Sequence, residues 1–375
     1  VTKLSDDDWS SVAFGSGAQQ AVDSRLAERA ALDVARGYRP NWLVQLPTDV
    51  VHRAVELGPW SRLCAGMALT ELGHIDAALN EIDAARWEFE RMNLEEGIGR
   101  STYALGDLAF GRGDLHQAGA LWSEGRARLG AVAPHDPLVA ANLAFASYLS
   151  GGLLRAVAVA EEALALALMS ESARGEGASL CYLGYFLTWR GEFRRAEECA
   201  HRAMDAFRRV EAAENRFEAP LAGVVLGTVA GFRRDRDGAL AGFDVAEAYL
   251  QEYSNEWMRG IVRTLRADVL CPWDPEMAIK MGRNAADSMR SLGDTWWSSW
   301  ALTTVAEGYA RLGQPRTAVS ILLEAKETTT VPVELGRLLL RLGRAYFSIA
   351  EVDLARSALD QAVAVLVEGG ARFPT

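Results

Sequence analysis

Apolar residues recur along the chain at intervals of three and four, in segments of helical length separated by short polar or glycine-containing breaks. No alternating pattern bounded by turns marks a strand. Within this helical pattern one motif repeats: a small residue, then five positions later an alanine opening an apolar helix. Gly73 leads to Ala78, Gly113 to Ala118, Gly151 to Ala156, Gly191 to Ala196 and Gly313 to Ala318. Arg234, Trp273 and Ala350 stand at the same place before Ala239, Ala278 and Ala355. Successive alanines are 40, 38, 40, 43, 39, 40 and 37 residues apart, which makes eight repeats of about 40 residues.

A second register supports the first. Twelve positions before each alanine stand Gly66, Gly106, Ala144, Gly184, Gly227, Arg266, Ala306 and Gly343. Two antiparallel helices that cross closely need a residue no larger than alanine at the crossing. The glycine between them supplies a left-handed turn. Prolines fall where helices should start or stop, at Pro134, Pro137, Pro220, Pro272, Pro275, Pro315 and Pro332. The pattern predicts an all-α fold, a right-handed superhelix (α-solenoid) of about eight helix-turn-helix repeats. Residues 1–50 lack the register and are expected to form an N-terminal helical cap, with helix around 18–36. Residues 51–375 then form a single continuous array. Arg266 breaks the small-residue row and predicts either a distorted sixth repeat or a side chain that snorkels outward.

The Leu–Gly, Gly and Ala positions resemble the tetratricopeptide repeat (TPR), lengthened to about 40 residues. Together with Leu46–Val51, Trp60, Gly66-Met67-Ala68-Leu69 and Gly73-His74-Ile75-Asp76-Ala77-Ala78, the longer period resembles the sensor domain of MalT-type regulators, large LuxR-family ATP-dependent bacterial transcription activators. The resemblance covers roughly residues 40–365. It implies an array that binds an inducer and controls self-association of a nucleotide-binding domain. The chain carries no phosphate-loop motif and no recognisable helix-turn-helix after Gly370, so other domains or subunits of a regulator are the implied partners.

Composition narrows the function classes. Half of the 375 residues are hydrophobic and 24% are charged, a globular balance rather than a disordered one. The net charge of −11 and the lack of a run of four basic residues argue against direct nucleic-acid binding. No apolar stretch is long enough to span a bilayer, and the first residues lack the apolar core of a signal peptide. Cys64, Cys181, Cys199 and Cys271 are widely spaced and read as buried thiols of a cytoplasmic protein. Arginine outnumbers lysine 36 to 3, the codon signature of a GC-rich genome.

Chemistry is sparse. His52, His74, His116, His135 and His201 form no metal-ligand spacing, and neither a metal nor a cofactor is expected. The run Asp6-Asp7-Asp8 reads as a helix cap. The concave face of the array offers more. The repeat register places Tyr103, Asp107, Phe110, Phe145, Tyr148, Tyr185 and Trp189 on the first helices of the second to fourth repeats. Arg263, Glu307 and Arg344 follow in the sixth to eighth. An aromatic wall with a few convergent polar groups suits a small effector or a peptide, stacked on the rings and oriented by Arg263 or Arg344. Trp296, Trp297 and Trp300 cannot all enter one core, which predicts at least one exposed or ligand-facing indole.

The leading expectation is a non-enzymatic effector-sensing module of a bacterial transcription regulator, or a stand-alone relative. The alternatives are a protein–protein scaffold and an enzyme that uses Asp107 or Glu307 as acid or base.

Overall fold

The computed structural model describes residues 58–370, apart from 72–74, 113, 130–136, 151, 211–217 and 253–255. The cap expected in residues 1–50, Asp6–Asp8, His52, His74, His135, and the turn positions Gly73, Gly113 and Gly151 lie outside the described residues. Sixteen α-helices form eight consecutive pairs among the described residues, with no strand. The first four pairs are α1 (Pro59–Glu71) with α2 (Ile75–Arg91), α3 (Glu95–Gly111) with α4 (Leu115–Leu129), α5 (Pro137–Leu149) with α6 (Leu153–Met169), and α7 (Ala173–Trp189) with α8 (Phe193–Arg208). The last four are α9 (Ala219–Phe232) with α10 (Arg236–Glu252), α11 (Glu256–Leu270) with α12 (Pro275–Ser291), α13 (Thr295–Arg311) with α14 (Pro315–Thr328), and α15 (Pro332–Ser348) with α16 (Val352–Glu368). The fold is all-α and TPR-like.

The repeat signature is the footprint of helix crossings. Ala78, Ala118, Ala156, Ala196, Ala239, Ala278 and Ala318 are wholly buried, and Ala355 nearly so. A Cβ on Gly66 would lie 3.1 Å from the Ala78 carbonyl oxygen, on Gly184 3.2 Å from that of Ala196, and on Gly227 3.0 Å from that of Ala239. Helix backbones therefore meet at the two sequence rows. A third small-residue row lies seven positions after each alanine: Ala85, Gly125, Ala163, Ala203, Ala246, Ala285, Ala325 and Ala362. It serves the same purpose, since a Cβ on Gly223 would sit 2.5 Å from the Ala246 nitrogen.

Four of the described turns between paired helices are left-handed, two with glycine and two without, while Trp273 in the sixth pair does not adopt that conformation. Gly191 and Gly313 have φ of +73°, while Arg234 (+63°) and Ala350 (+65°) adopt the same region with a side chain attached. L-residues there are strained by about 1 kcal/mol. Proline opens α12, α14 and α15 in the first turn, where its missing N–H costs nothing. At Arg266 the guanidinium reaches outward to Glu247 (2.8 Å) and Asp244 (3.2 Å) on α10, so the crossing tolerates it by ejecting its head.

The described residues fall into two compact units. The first holds 58–108, 120–129 and Val210. Its core is Leu63, Leu69, Ile82, Phe89, Ile98, Leu105 and Leu108, with Trp60 tilted on Phe89 at 4.5 Å. The second holds 109–119, 137–209 and 218–370. Within this second unit the stack winds far enough for its first and last pairs to meet. The Leu153 amide of α6 donates to the Gly369 carbonyl at 3.3 Å, and the Leu154 side chain lies against Gly370.

Candidate functional site

The winding of the second unit turns one face of α5, α7, α11, α13 and α15 onto a shared interior. Aromatic side chains fill most of it. Phe145 contacts Tyr148, Tyr182, Phe186 and Trp296, with ring centroids 5.4–6.2 Å apart. Phe110, at the end of α3 and part of this unit, lies edge-on to Phe145, Trp257 and Trp296. Tyr185 continues the wall to Trp189, and Trp189 meets Trp300 at 5.7 Å. Trp297 stacks on Trp300 at 4.9 Å and 17°, and packs on Trp296 at 4.7 Å. Edge-to-face and offset pairs of this kind add about 0.5–1.5 kcal/mol each beyond burial.

A charged chain crosses this wall. The Arg337 guanidinium lies over two adjoining indoles, 4.7 Å from the Trp189 ring centre and 4.6 Å from that of Trp300. It also donates to Asp268, which accepts from Arg341 as well and from Thr304 at 3.1 Å. Arg341 in turn faces Glu307 at 3.6 Å, and Glu307 accepts from Arg311 at 2.7 Å. Burial works to raise the Asp268 carboxyl, but attraction to Arg341 and Arg337, with their hydrogen bonds, outweighs it and holds the group well below the usual carboxylate range. Asp268 is therefore the fixed negative charge of the site.

Two other buried carboxyls behave in the opposite way. Glu334 accepts from the Tyr148 hydroxyl, yet burial pushes its pKa up to about 7. Asp294 caps α13 through the Trp297 amide (2.8 Å) and accepts from the Trp257 indole (2.7 Å), and burial pushes it up to about 6. Several buried polar atoms of the interior meet no hydrogen-bond partner among the described residues: Glu334 Oε2, Arg341 Nη1, and the indole nitrogens of Trp296, Trp297 and Trp300. Each such group costs about 1–3 kcal/mol when left unsatisfied, so their concentration on one surface calls for an explanation.

The structure sorts the residues named from sequence. Phe145, Tyr148, Tyr185, Trp189 and Glu307 share the interior of the second unit. Tyr103 and Asp107 belong to the first unit, where Asp107 accepts from the Trp122 indole at 2.9 Å and Tyr103 lies 6.4 Å from the Trp122 ring. Arg263 and Arg344 are exposed and take no part in the ion pairs around Asp268. The arginines that do are Arg337 and Arg341. Trp296, Trp297 and Trp300 are all buried, at 2–3% exposure, so of the two expected alternatives, an exposed or a ligand-facing indole, the exposed one does not hold. The wound stack supplies a second interior for them, besides the crossings within each helix pair. His116 lies in the first turn of α4 rather than in the turn before it, and His201 is exposed on α8.

The repeat register explains the arginine substitution. Counted from the small-residue row, the interior takes positions one and four residues after it, as read from sequence. One turn earlier it takes the residue two before the row: Tyr182, Thr304 and Arg341. The sequence reading used the residue three before, which holds Arg263, and one residue turns a helix by about 100°. Arg344 shares a face with Arg337 but lies two turns nearer the helix end, where the side chain emerges into solvent.

No family model matches the chain, and neither does any curated protein. Solved structures do resemble it. A Rap protein complexed with competence and sporulation factor superposes with a TM-score of 0.63 at 12% identity, over 93% of this chain and 99% of that one. The apo quorum sensor NprR from B. thuringiensis gives 0.55 at 13%, over 93% and 100%. The Rap conjugation gene regulator of plasmid pLS20, in complex with the Phr* peptide, gives 0.56 at 14%, over 81% and 77%. At these identities the likeness is one of fold. Among the described residues, no helix is long and apolar enough to cross a membrane.

Proposed function

We propose that the chain is a ligand-sensing TPR module and that its ligand, a short peptide, lies in the interior of the second unit. The observation that carries this reading is the buried set of unspent donors and acceptors on the aromatic wall: Arg341 Nη1, Glu334 Oε2 and the indoles of Trp296, Trp297 and Trp300. A peptide backbone offers alternating acceptors and donors that match such a set, and its side chains suit aromatic walls. The Phr* peptide bound by one structural neighbour favours a peptide over another small effector. The MalT-type resemblance fits the same reading, with occupancy passed to other domains or subunits of a cytoplasmic regulator.

In this arrangement the ligand competes with contacts already made. It must separate Trp189 and Trp300 from Arg337 before it can take their place. Binding then selects a less populated state, and apparent affinity falls by the fraction of molecules that are open. That competition couples occupancy to the geometry of the whole unit.

A second reading, a protein–protein scaffold, is favoured by Val352, Leu359, Val363 and Val367, which form an exposed apolar stripe on α16. One experiment separates the two. A random peptide library is selected on the wild-type protein and on the Trp189→Ala variant. The peptide reading expects clones that the wild type retains and the variant loses. Clones retained equally by both, and lost on Val363→Glu substitution, would favour the scaffold.

A further inference from the structure

The second unit is held shut at a seam between its first and last pairs. Contacts across it among the described residues include Tyr148 of α5 on Glu334 of α15, the Leu153 amide on the Gly369 carbonyl, and Leu154 on Gly370. Only the first involves a group that can change charge near neutrality. Tyr148 is wholly buried and Glu334 is 6% exposed. Glu334 Oε1 accepts from the phenol, while Oε2 meets no partner among the described residues. The groups facing Glu334 are Tyr148 from α5, Tyr185 from α7 and Arg337 on its own helix. Arg337 is committed to Asp268 and to the two indoles.

We propose that Tyr148 and Glu334 form a proton-dependent latch on this seam, closed while Glu334 carries its proton and weakened when it is lost. The chemistry is a single proton exchange with solvent. In the protonated state a neutral carboxyl accepts from Tyr148 and adds no charge to the interior. In the ionised state the phenol, the Glu334 backbone N–H and the charge of Arg337 favour the carboxylate, but together they do not offset the loss of water around it. The burial that pushes Glu334 to about 7 supports this direction. Opening the seam exposes the carboxyl to water and returns it toward its ordinary value of 4.5. Closure is therefore fully supported below about pH 4.5 and loses support as pH rises through about 7, by up to about 300-fold in the closing equilibrium. The inference rests on the closed interior and is independent of which ligand the proposed site takes.

The test uses the full chain with Arg155→Cys and Glu368→Cys, two exposed positions flanking the seam; the four native cysteines are buried. Spin labels on the two sites report seam distance by pulsed dipolar spectroscopy, without any ligand. The expected result is one short distance at about pH 5 and a growing longer population at about pH 8. With Glu334→Gln added, the short distance should persist at both. A wild-type distance that does not change with pH, or a Glu334→Gln variant that opens as the wild type does, overturns the proposal. Infrared difference spectra of the wild type give a check that needs no variant to fold. A protonated carboxyl band that persists above the Asp294 step at about pH 6 and disappears as pH rises through about 7 supports the latch, and its absence contradicts it. Failure to bind any peptide would leave both readouts unaffected, so the latch and the proposed function fail separately.

Discussion

Arg337 donates to Asp268 across 69 residues of chain, joining the sixth and eighth repeats through a buried ion pair. Both side chains are at most 12% exposed. The pair is anchored on one side by Arg341 and on the other by the indoles of Trp189 and Trp300. A local hydrophobic period cannot encode such a contact, because it arises from how the second unit winds.

Removing the anion should therefore be far more costly than removing a surface charge. Asp268→Asn leaves Arg337 and Arg341 buried without a counter-charge and is expected to destabilise by about 3–5 kcal/mol in chemical denaturation. Breaking the exposed Arg195–Glu161 pair should cost about 0–1 kcal/mol. The pH dependence follows from sign. A carboxyl held low contributes stability in full above its unfolded value and loses it progressively as pH falls from there through its folded value. The Asp268 carboxylate should thus stay ionised in the folded protein at about pH 3, while its contribution to stability declines steadily below about pH 4.

Asp294 should behave oppositely. Its raised pKa means that support is complete below about pH 4 and is lost as pH rises through about 6. Between those values the wild type should lose about 2–3 kcal/mol that Asp294→Asn does not. Asparagine keeps an acceptor for the Trp297 amide but cannot accept from the Trp257 indole with its NH₂ end, so the variant should be weaker at low pH. Denaturation midpoints of the two proteins, followed from about pH 4 to about pH 8, should converge. Parallel curves would contradict the assignment.

The helix crossings make a steric prediction. Gly223→Ala drives a methyl to 2.5 Å from the Ala246 nitrogen and 2.6 Å from the Gly242 oxygen, both backbone atoms that cannot rotate away. A loss of about 1–3 kcal/mol or more is expected. Gly260→Ala meets the flexible end of Met289 instead and should cost less. Ala350→Gly relieves a left-handed turn and should stabilise by about 0.5–1 kcal/mol. Thermal unfolding of the three variants gives the order directly.

These crossings were also the most legible part of the sequence. A backbone-to-backbone approach admits only glycine or alanine, so Gly66, Gly184 and Gly227 are visible wherever the spacing is counted. The turn position was legible at Gly191 and Gly313 and obscured at Arg234 and Ala350, where strain is tolerated instead of avoided. The interior was half legible. Phe145, Tyr148, Tyr185, Trp189 and Glu307 fall on the correct face because the register fixes it within a residue. Arg337, Arg341 and Glu334 were missed for two reasons. One residue of error rotates a side chain off the face, and the face extends further toward the helix start than the rows that were counted. Asp268 was missed because it lies two residues after the small-residue row, between the counted positions one and four residues after it.

The cation over Trp189 and Trp300 gives an optical handle. Trp300→Phe keeps a ring over Arg337 with a weaker quadrupole and should cost about 1 kcal/mol, while Trp300→Ala should cost about 3–5 kcal/mol through the cavity it leaves. Both should shift tryptophan emission, because the mutated indole is one of a contiguous set.

The central claim is that the interior of the second unit receives the ligand. Hydrogen exchange with and without a library-selected peptide tests it most directly. The account predicts altered protection concentrated in α5, α7, α13 and α15, and abolished by Trp189→Ala. Protection confined to α16, or binding that leaves those four helices unchanged, would contradict it.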